Sequence, residues 1–152
     1  MANTFININL HVIFAAKHRE SIIPLTSMDN IHNYIAKSIN SRGHRTINIG
    51  GTPNHVHVLF SYNGKEPIAN IIRDIKVFST KYINNNRITK CHFEWQKGYA
   101  CFSVSPRDVE LISNYIDRQV EHHHGKSVVD ELRMILDKAA MEYDERFLFD
   151  DV

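Results

Sequence analysis

The chain has 152 residues, of which 43% are hydrophobic and 23% charged, and its formal net charge at pH 7 is +1. Such values are typical of a globular domain with a core of its own, so we expect one domain over residues 1–152. No apolar run approaches the roughly 18 residues of a membrane span, and the first five residues lack the pattern of a signal peptide. Because the two cysteines form no C-x-x-C pair, we expect reduced thiols, a cytoplasmic location and no membrane partner.

The near-neutral total conceals an uneven distribution of charge. Residues 1–90 hold eleven Lys and Arg against four Asp and Glu, a surplus of seven positive charges. Residues 130–152 hold eight Asp and Glu against three Lys and Arg, an excess of five negative charges. A basic surface attracts a phosphate backbone, although two ordinary solvated faces would give the same pattern. Nucleic acid therefore stays open as a partner despite the small net charge.

The hydrophobic pattern of the first two thirds predicts four strands and two helices. Alternating or continuous apolar runs indicate the strands, and apolar residues three and four positions apart indicate the helices. In chain order we predict a strand over 5–14, a helix from Met28 that stops before Gly43, a strand over 45–50, a strand over 54–60, a helix opened by Pro67, and strand material from His92 to Val104. This β-α-β-β-α-β order is that of the ferredoxin-like (split βαβ, RRM-like) fold, in which the first and third strands are central neighbours.

Two further helices are predicted in the last third. Ser105-Pro106-Arg107-Asp108 combines a capping serine, a proline at the first helical position and an acid at the third. Ser127 begins a second cap, ahead of apolar residues at helical spacing. The predicted class is therefore α+β, an antiparallel sheet with helices on one face plus a C-terminal helix that begins after Ser105. The aromatic stretch 143–149 is predicted to dock on the domain.

The strand over 54–60 carries two histidines at alternate positions. Alternate side chains of a strand share a face, so His55 and His57 project side by side. Two neutral imidazoles at this spacing are a candidate pair of metal ligands. A strand with two satisfied or exposed histidines has the same spacing, so a third ligand is needed to favour a metal. The residues before the strand, 50–54, are typical of a turn.

The helix after Ser105 offers that third ligand. Its apolar stripe leaves Tyr115 and Gln119 one turn apart on a neighbouring face. A tyrosine hydroxyl is a possible nucleophile that leaves a covalent intermediate. The amide oxygen of Gln119 suits a hard divalent ion beside two imidazoles. Each residue has an ordinary alternative, a half-buried aromatic for Tyr115 and a solvated polar side chain for Gln119.

Several segments together resemble a known family. Asn54-His55-Val56-His57-Val58-Leu59, followed by the run from Asn114 to His123, resembles the HUH single-tyrosine transposases of the insertion-sequence 200/605 group. Residues 93–105 are similar to the family's W-Q-x-G-Y-x-x-F-S-V-S segment, and residues 14–19, 126–132 and 143–150 resemble its other signatures. The resemblance covers nearly the whole chain. Phe149 departs from it, since the family has tryptophan there.

The resemblance implies that the protein cuts and rejoins single-stranded DNA at the ends of its own element, without ATP. It implies His55 and His57 as metal ligands, Gln119 as the third ligand, and Tyr115 as the nucleophile of a 5′-phosphotyrosine intermediate. Mg²⁺ is expected from its availability, whereas Mn²⁺ is chemically better matched to two imidazoles and an amide. The family pattern also includes His122 and His123. We expect these two histidines to contact the metal ligands or the DNA rather than the metal itself.

The implied partner is single-stranded DNA with terminal hairpins. Lys17, Arg73 and Lys76 are candidate phosphate contacts, and Trp95 and Tyr99 are candidates for base stacking. Trp95 is equally suited to the core. The family also implies a homodimer with trans active sites, in which the tyrosine helix of one subunit serves the histidines of the other.

Three other functions share some of these features. A non-catalytic RNA-binding ferredoxin-like module explains the sheet and the basic charge, but leaves the histidine pair and Tyr115 without a role. A plasmid or phage replication initiator uses related chemistry but commonly carries further domains. A domesticated relative that acts on chromosomal repeat hairpins would have the same catalytic residues as a mobile-element transposase.

Overall fold

The computed structural model describes residues 3–18, 22–119 and 127–149. The elements in these ranges are β1 (Ile8–Ala15), α1 (Leu25–Ser41), β2 (Arg45–Thr52), β3 (His55–Tyr62), α2 (Ile68–Asn85), β4 (Ala100–Val104), α3 (Val109–Asp117) and α4 (Val128–Lys138), with short 3-10 turns at Pro106–Asp108 and Glu145–Phe147. Within the described ranges, none of the helices is long and apolar enough to cross a membrane.

The strands form one antiparallel sheet in the order β2-β3-β1-β4. The two central strands pair over their whole length, from Ile8 opposite Tyr62 to Ala15 opposite His55. They lie at the centre because most of their side chains are buried on both faces, whereas most of β2 is only half-buried and lies at an edge. This topology confirms the predicted ferredoxin-like α+β fold.

Helices α1 and α2 cover one face of the sheet. The sheet contributes large apolar side chains that are at most 2% exposed: Val12, Phe14, Val56, Val58 and Phe60. The two helices contribute buried isoleucines at helical spacing: Ile31, Ile35, Ile39, Ile71, Ile72 and Ile75. Burying one such side chain contributes about 1.5–3 kcal/mol relative to leaving it exposed, so this layer is the principal core.

The opposite face is covered by α3 and α4, so helices lie on both faces of the sheet. Helix α3 packs Ile116 against Leu59 and Val104. Helix α4 packs its apolar stripe around Ile13. Phe149 is 8% exposed and joins this second cluster, which confirms that the aromatic C-terminal stretch docks on the domain.

Strand β2 continues two residues beyond its predicted end. Gly51 and Thr52, interpreted as part of a turn from the sequence, lie in the strand, and the turn is at residues 53–54. Gly50 pairs with His57, and a Cβ at Gly50 would lie 2.7 Å from the backbone oxygen of Ile116. The absence of a side chain therefore allows α3 to approach the sheet directly beside His57.

Two predicted elements are shorter in the structure. Helix α3 ends at Asp117 and Arg118 lies in a turn, whereas the sequence pattern continued the helix to His123. Residues 120–126 lie outside the described ranges. The segment 93–96 is not a strand, and a single bridge joins Trp95 to the end of β1.

Candidate active site

Three buried histidines share one face of the sheet. Directly paired residues of antiparallel strands lie on the same face. His57 lies opposite Ile13, and His11 is two residues from Ile13 along β1, so both histidines face α3 and α4. His55 is on the same face, two residues from His57 along β3. The exposed fractions are 1% for His55, 0% for His57 and 4% for His11.

Helix α3 brings Tyr115 over this face. The side chain of Asn48 in β2 donates to the backbone oxygen of Ser113 at 3.0 Å and to the carboxylate of Asp117 at 2.8 Å. These bonds hold the second half of the helix on the sheet. The centroid of the Tyr115 ring lies 5.8 Å from that of His57. Tyr115 therefore lies over the histidines of its own chain.

Helix α4 adds a carboxylate that the sequence analysis missed. Glu131 is 3% exposed. Its Oε2 lies 3.1 Å from Nε2 of His55, and its Oε1 lies 3.1 Å from Nε2 of His57. The same Oε1 accepts a hydrogen bond from the Tyr115 hydroxyl. One signal was available in the sequence, because Glu131 falls within the apolar stripe of α4, three residues after Val128, where a solvated acid is not expected.

Gln119 reaches the same point from just beyond the end of α3. Its side chain is 1% exposed, and its Oε1 lies 3.3 Å from Nε2 of His55. Its Nε2 donates to the backbone oxygen of Tyr115 at 3.4 Å. The two residues therefore stay adjacent although the helix ends between them. The structure brings together the four residues singled out as metal ligands and nucleophile, which are His55, His57, Tyr115 and Gln119.

The hydrogen bonds around His55 make Nε2 its acceptor nitrogen. Nδ1 of His55 lies 2.7 Å from Oγ1 of Thr52 and 2.8 Å from Oδ1 of Asn54. The Thr52 hydroxyl donates to that same Asn54 oxygen at 2.7 Å. Both oxygens are therefore left to accept from an N–H at Nδ1. The neutral ring then directs the lone pair of Nε2 toward the oxygens of Glu131 and Gln119.

His11 contacts Nδ1 of His57, as Thr52 and Asn54 contact Nδ1 of His55. The sequence analysis did not single out His11. Nε2 of His11 lies 2.7 Å from Nδ1 of His57, and the two rings stack with centroids 5.0 Å apart. Burial, and then the neighbouring His57, lower the pKa of His11 to about 3, so His11 stays neutral at pH 7 and is able to accept this bond. That arrangement leaves Nε2 of His57 as an acceptor directed at Glu131.

The donor set fits a divalent cation. Among the residues that the structure describes, Nε2 of His57 has no hydrogen-bond partner, and its 3.1 Å contact with Glu131 lacks hydrogen-bond geometry. Acceptor atoms that face each other repel unless a cation lies between them. The ligand atoms of His55, His57 and Glu131 all lie within 4.8 Å of one another. Imidazole nitrogens with carboxylate and amide oxygens suit Mn²⁺ and, less closely, Mg²⁺.

Comparison with known families decides the class of protein. The sequence model of the family described as "Transposase IS200 like" matches residues 4–119. The chain belongs to the IS200-like transposase family. The suspected resemblance to this family is therefore confirmed.

Solved structures show the same fold in other transposases. A crystal structure from Deinococcus radiodurans R1, assigned as a transposase, superposes with a TM-score of 0.59 at 17% identity, covering 78% of this chain and 96% of that chain. A REP-associated tyrosine transposase bound to a REP hairpin superposes with a TM-score of 0.59 at 16% identity, covering 82% of this chain and 73% of that chain. A search of curated proteins finds no match. At these identities the likeness is one of fold.

In this IS200-like transposase the Tyr115 hydroxyl is held as a neutral phenol. Burial, followed by the hydrogen bond to Glu131 and the charge of that carboxylate, raises the pKa of Tyr115 above its ordinary value. A tyrosine that attacks phosphorus must lose its proton as it reacts. Glu131 is the acceptor that the hydroxyl already contacts.

A basic groove lies beside α2. Its lining includes Lys17, Arg73 and Lys76, the three candidate phosphate contacts, together with Lys81 and Lys97. One acid, Glu94, is also in the lining and pairs with Lys17 at 2.9 Å. The groove therefore concentrates part of the positive charge that the composition of residues 1–90 indicated.

The two aromatic candidates differ in position. Trp95 is 8% exposed, its indole N–H donates to Ser79 at 2.9 Å, and the rings of Phe14 and Phe93 pack against it edge-on. Of the two alternatives for Trp95, the structure favours the core. Tyr99 is 37% exposed and stays available to a ligand. His122 and His123 lie outside the described residues.

Proposed function

We propose that this transposase cleaves and rejoins single-stranded DNA at insertion-sequence ends through a 5′-phosphotyrosine formed on Tyr115. The observation that carries the proposal is the convergence of the Tyr115 hydroxyl, two imidazole nitrogens and a buried carboxylate on one face of the sheet. A non-catalytic RNA-binding module has no use for this group of side chains. A replication initiator would share them, but the family to which the chain belongs is one of transposases.

The chemistry follows from the placement of these groups. The Tyr115 oxygen attacks the phosphorus, an oxygen–phosphorus bond forms, and the bond to the 3′ oxygen breaks. The Tyr115 hydroxyl loses its proton to solvent as it attacks, and the departing 3′ oxygen takes a proton from solvent. A divalent cation held by His55, His57 and Gln119 would supply charge neutralisation on the phosphate oxygens. A 3′ hydroxyl of another strand then displaces the tyrosine and joins the ends.

The substrate prediction is a preference for single strands. With Mg²⁺ or Mn²⁺, we expect an SDS-stable protein–DNA adduct on a single-stranded oligonucleotide with a hairpin beside the cleavage point, and none on its fully paired duplex. The reason is that the scissile phosphate must reach a hydroxyl held between the sheet and α4, where it bonds Glu131. Gel electrophoresis of labelled DNA measures the adduct. Equal adduct formation on the duplex would count against the proposal.

The basic groove provides the matched control for this assay. Lys81→Ala and Lys97→Ala remove groove cations that lie outside the cluster around Tyr115. Each change should weaken DNA binding about equally for all sequences and reduce the salt dependence of the affinity by about one unit of slope. The adduct should still form once the DNA is saturating.

The subunit arrangement is tested by mixing two inactive variants. The family resemblance implies trans sites in a homodimer, which predicts that His55→Ala and Tyr115→Phe restore adduct formation when their subunits exchange. A tyrosine helix exchanged between subunits would make with the partner's histidines the contacts that Tyr115 and Gln119 make within one chain, so we expect restoration. The measurement is adduct yield after co-refolding of the two variants. Recovery toward a quarter of wild-type sites would establish exchange of the tyrosine helices.

A mobile-element role and a domesticated role remain distinct proposals with the same catalytic residues. A REP-associated transposase bound to a REP hairpin is among the structural neighbours, which keeps the domesticated alternative open. Paired hairpins that bracket the gene favour a mobile element. Repeats scattered through the chromosome without such brackets favour the domesticated role.

A further inference from the structure

The carboxylate of Glu131 contacts three side chains at once. Its Oε1 accepts the hydrogen bond from Tyr115 and lies 3.1 Å from Nε2 of His57. Its Oε2 lies 3.1 Å from Nε2 of His55. The nucleophile and the two metal-ligand candidates are therefore joined through one side chain, which is carried by a different helix from Tyr115.

The two demands on this carboxylate oppose each other. A hydroxyl donor draws electron density from a carboxylate oxygen, and a cation bound by the same group needs that density. A cation bound to the carboxylate in turn makes it a poorer acceptor for the hydroxyl. Such coupling is reciprocal. The hydrogen bond from Tyr115 lowers the affinity of the site for a cation by the same factor by which a bound cation weakens that hydrogen bond.

Burial makes this opposition larger than it would be at a surface. Glu131 is 3% exposed and the three histidines of the face are at most 4% exposed, so water screens these interactions poorly. Val128, Val129 and Leu132 of the same helix are packed in the second cluster, so α4 holds Glu131 against this face of the sheet.

We propose that Glu131 is a cation ligand that also accepts the hydrogen bond of the Tyr115 hydroxyl while no cation is bound. Binding of a divalent cation then releases this hydroxyl for attack. This inference rests on the proposed function of Tyr115 as nucleophile. It assigns to Glu131 a coupling role that neither the family resemblance nor the H-x-H pattern implied.

The test measures Mn²⁺ affinity without DNA, by isothermal titration calorimetry at one pH, in four proteins. These are the wild type, Tyr115→Phe, Glu131→Gln and the double variant. Tyr115→Phe removes the competing donor and keeps the ring, so it should bind Mn²⁺ about fivefold more tightly than wild type. Glu131→Gln should bind about tenfold or more weakly, and Tyr115→Phe should have no further effect in that background.

Matched variants separate the coupling from a general change in the fold. Tyr143→Phe removes the hydroxyl of a tyrosine that bonds Asp137, and Glu142→Gln neutralises an exposed acid. Both should leave the Mn²⁺ affinity at the wild-type value. Thermal unfolding in EDTA should show all six proteins folded, and a Glu131→Gln protein that unfolds early is replaced by Glu131→Met for the same comparison.

Three outcomes would overturn the proposal: Tyr115→Phe leaves the Mn²⁺ affinity unchanged, Tyr115→Phe weakens it, or its effect persists when Glu131 is replaced. The proposed function fails on a different measurement, namely absence of the DNA adduct from the wild type. If the wild type forms the adduct but Tyr115→Phe does not change the Mn²⁺ affinity, only the coupling role of Glu131 is wrong and the proposed function stands.

Discussion

Tyr115→Phe should abolish the protein–DNA adduct and lower single-strand cleavage by about a thousandfold or more, since loss of a nucleophile commonly costs that much. The change removes one oxygen and leaves the ring in its place beside His57. Folding should survive, because the lost bond joins the hydroxyl to one carboxylate and the packing face of α3 is unchanged. The measurement is denaturing electrophoresis of labelled DNA, with circular dichroism for the fold.

The control for this variant is Tyr143→Phe, whose hydroxyl bonds Asp137 at 3.2 Å on the exposed side of α4. It should form the adduct at the wild-type rate. Persistence of the adduct in Tyr115→Phe would reassign the nucleophile to another tyrosine, and mass spectrometry of the trapped peptide would identify it.

His55→Ala and His57→Ala should each lower cleavage by about a hundredfold or more and weaken Mn²⁺ binding. A Lewis acid contributes several kcal/mol to such a reaction, and each 1.36 kcal/mol corresponds to about tenfold in rate. EDTA should stop the wild type, and added Mg²⁺ or Mn²⁺ should restore it. Cleavage assays and calorimetry on the same preparations measure both effects.

His44 provides the matched control, since it is also a buried histidine. It lies 2.9 Å from Glu66 in a separate ion network and takes no part in the site. His44→Ala should lower the thermal unfolding temperature but keep Mn²⁺ affinity and adduct formation. Full cleavage by both site variants in EDTA would remove the metal from the mechanism.

Local patterns were sufficient to predict the order of strands and helices and the site residues that share one element. The apolar runs of β1 and β3 require burial on both faces, which only the centre of the sheet provides. The sequence was therefore sufficient to predict that these two strands are central neighbours. His55 and His57 share a face because of the period of a strand. Tyr115 and Gln119 stay together because they are one helical turn apart, even though α3 ends at Asp117.

Only the tertiary structure decided which side chains from different elements meet. Glu131 is far from the H-x-H strand in sequence and reaches it because α4 packs against β1 on the same face. His11 contacts His57 through the register of two strands, and no pattern within β1 specifies that register. Gly50 was predicted as the last residue of a strand, but no pattern in the sequence indicated that Ile116 packs against its backbone. Sequence periodicity specifies the face on which a residue lies, but the partner across that face depends on packing between elements distant in the chain.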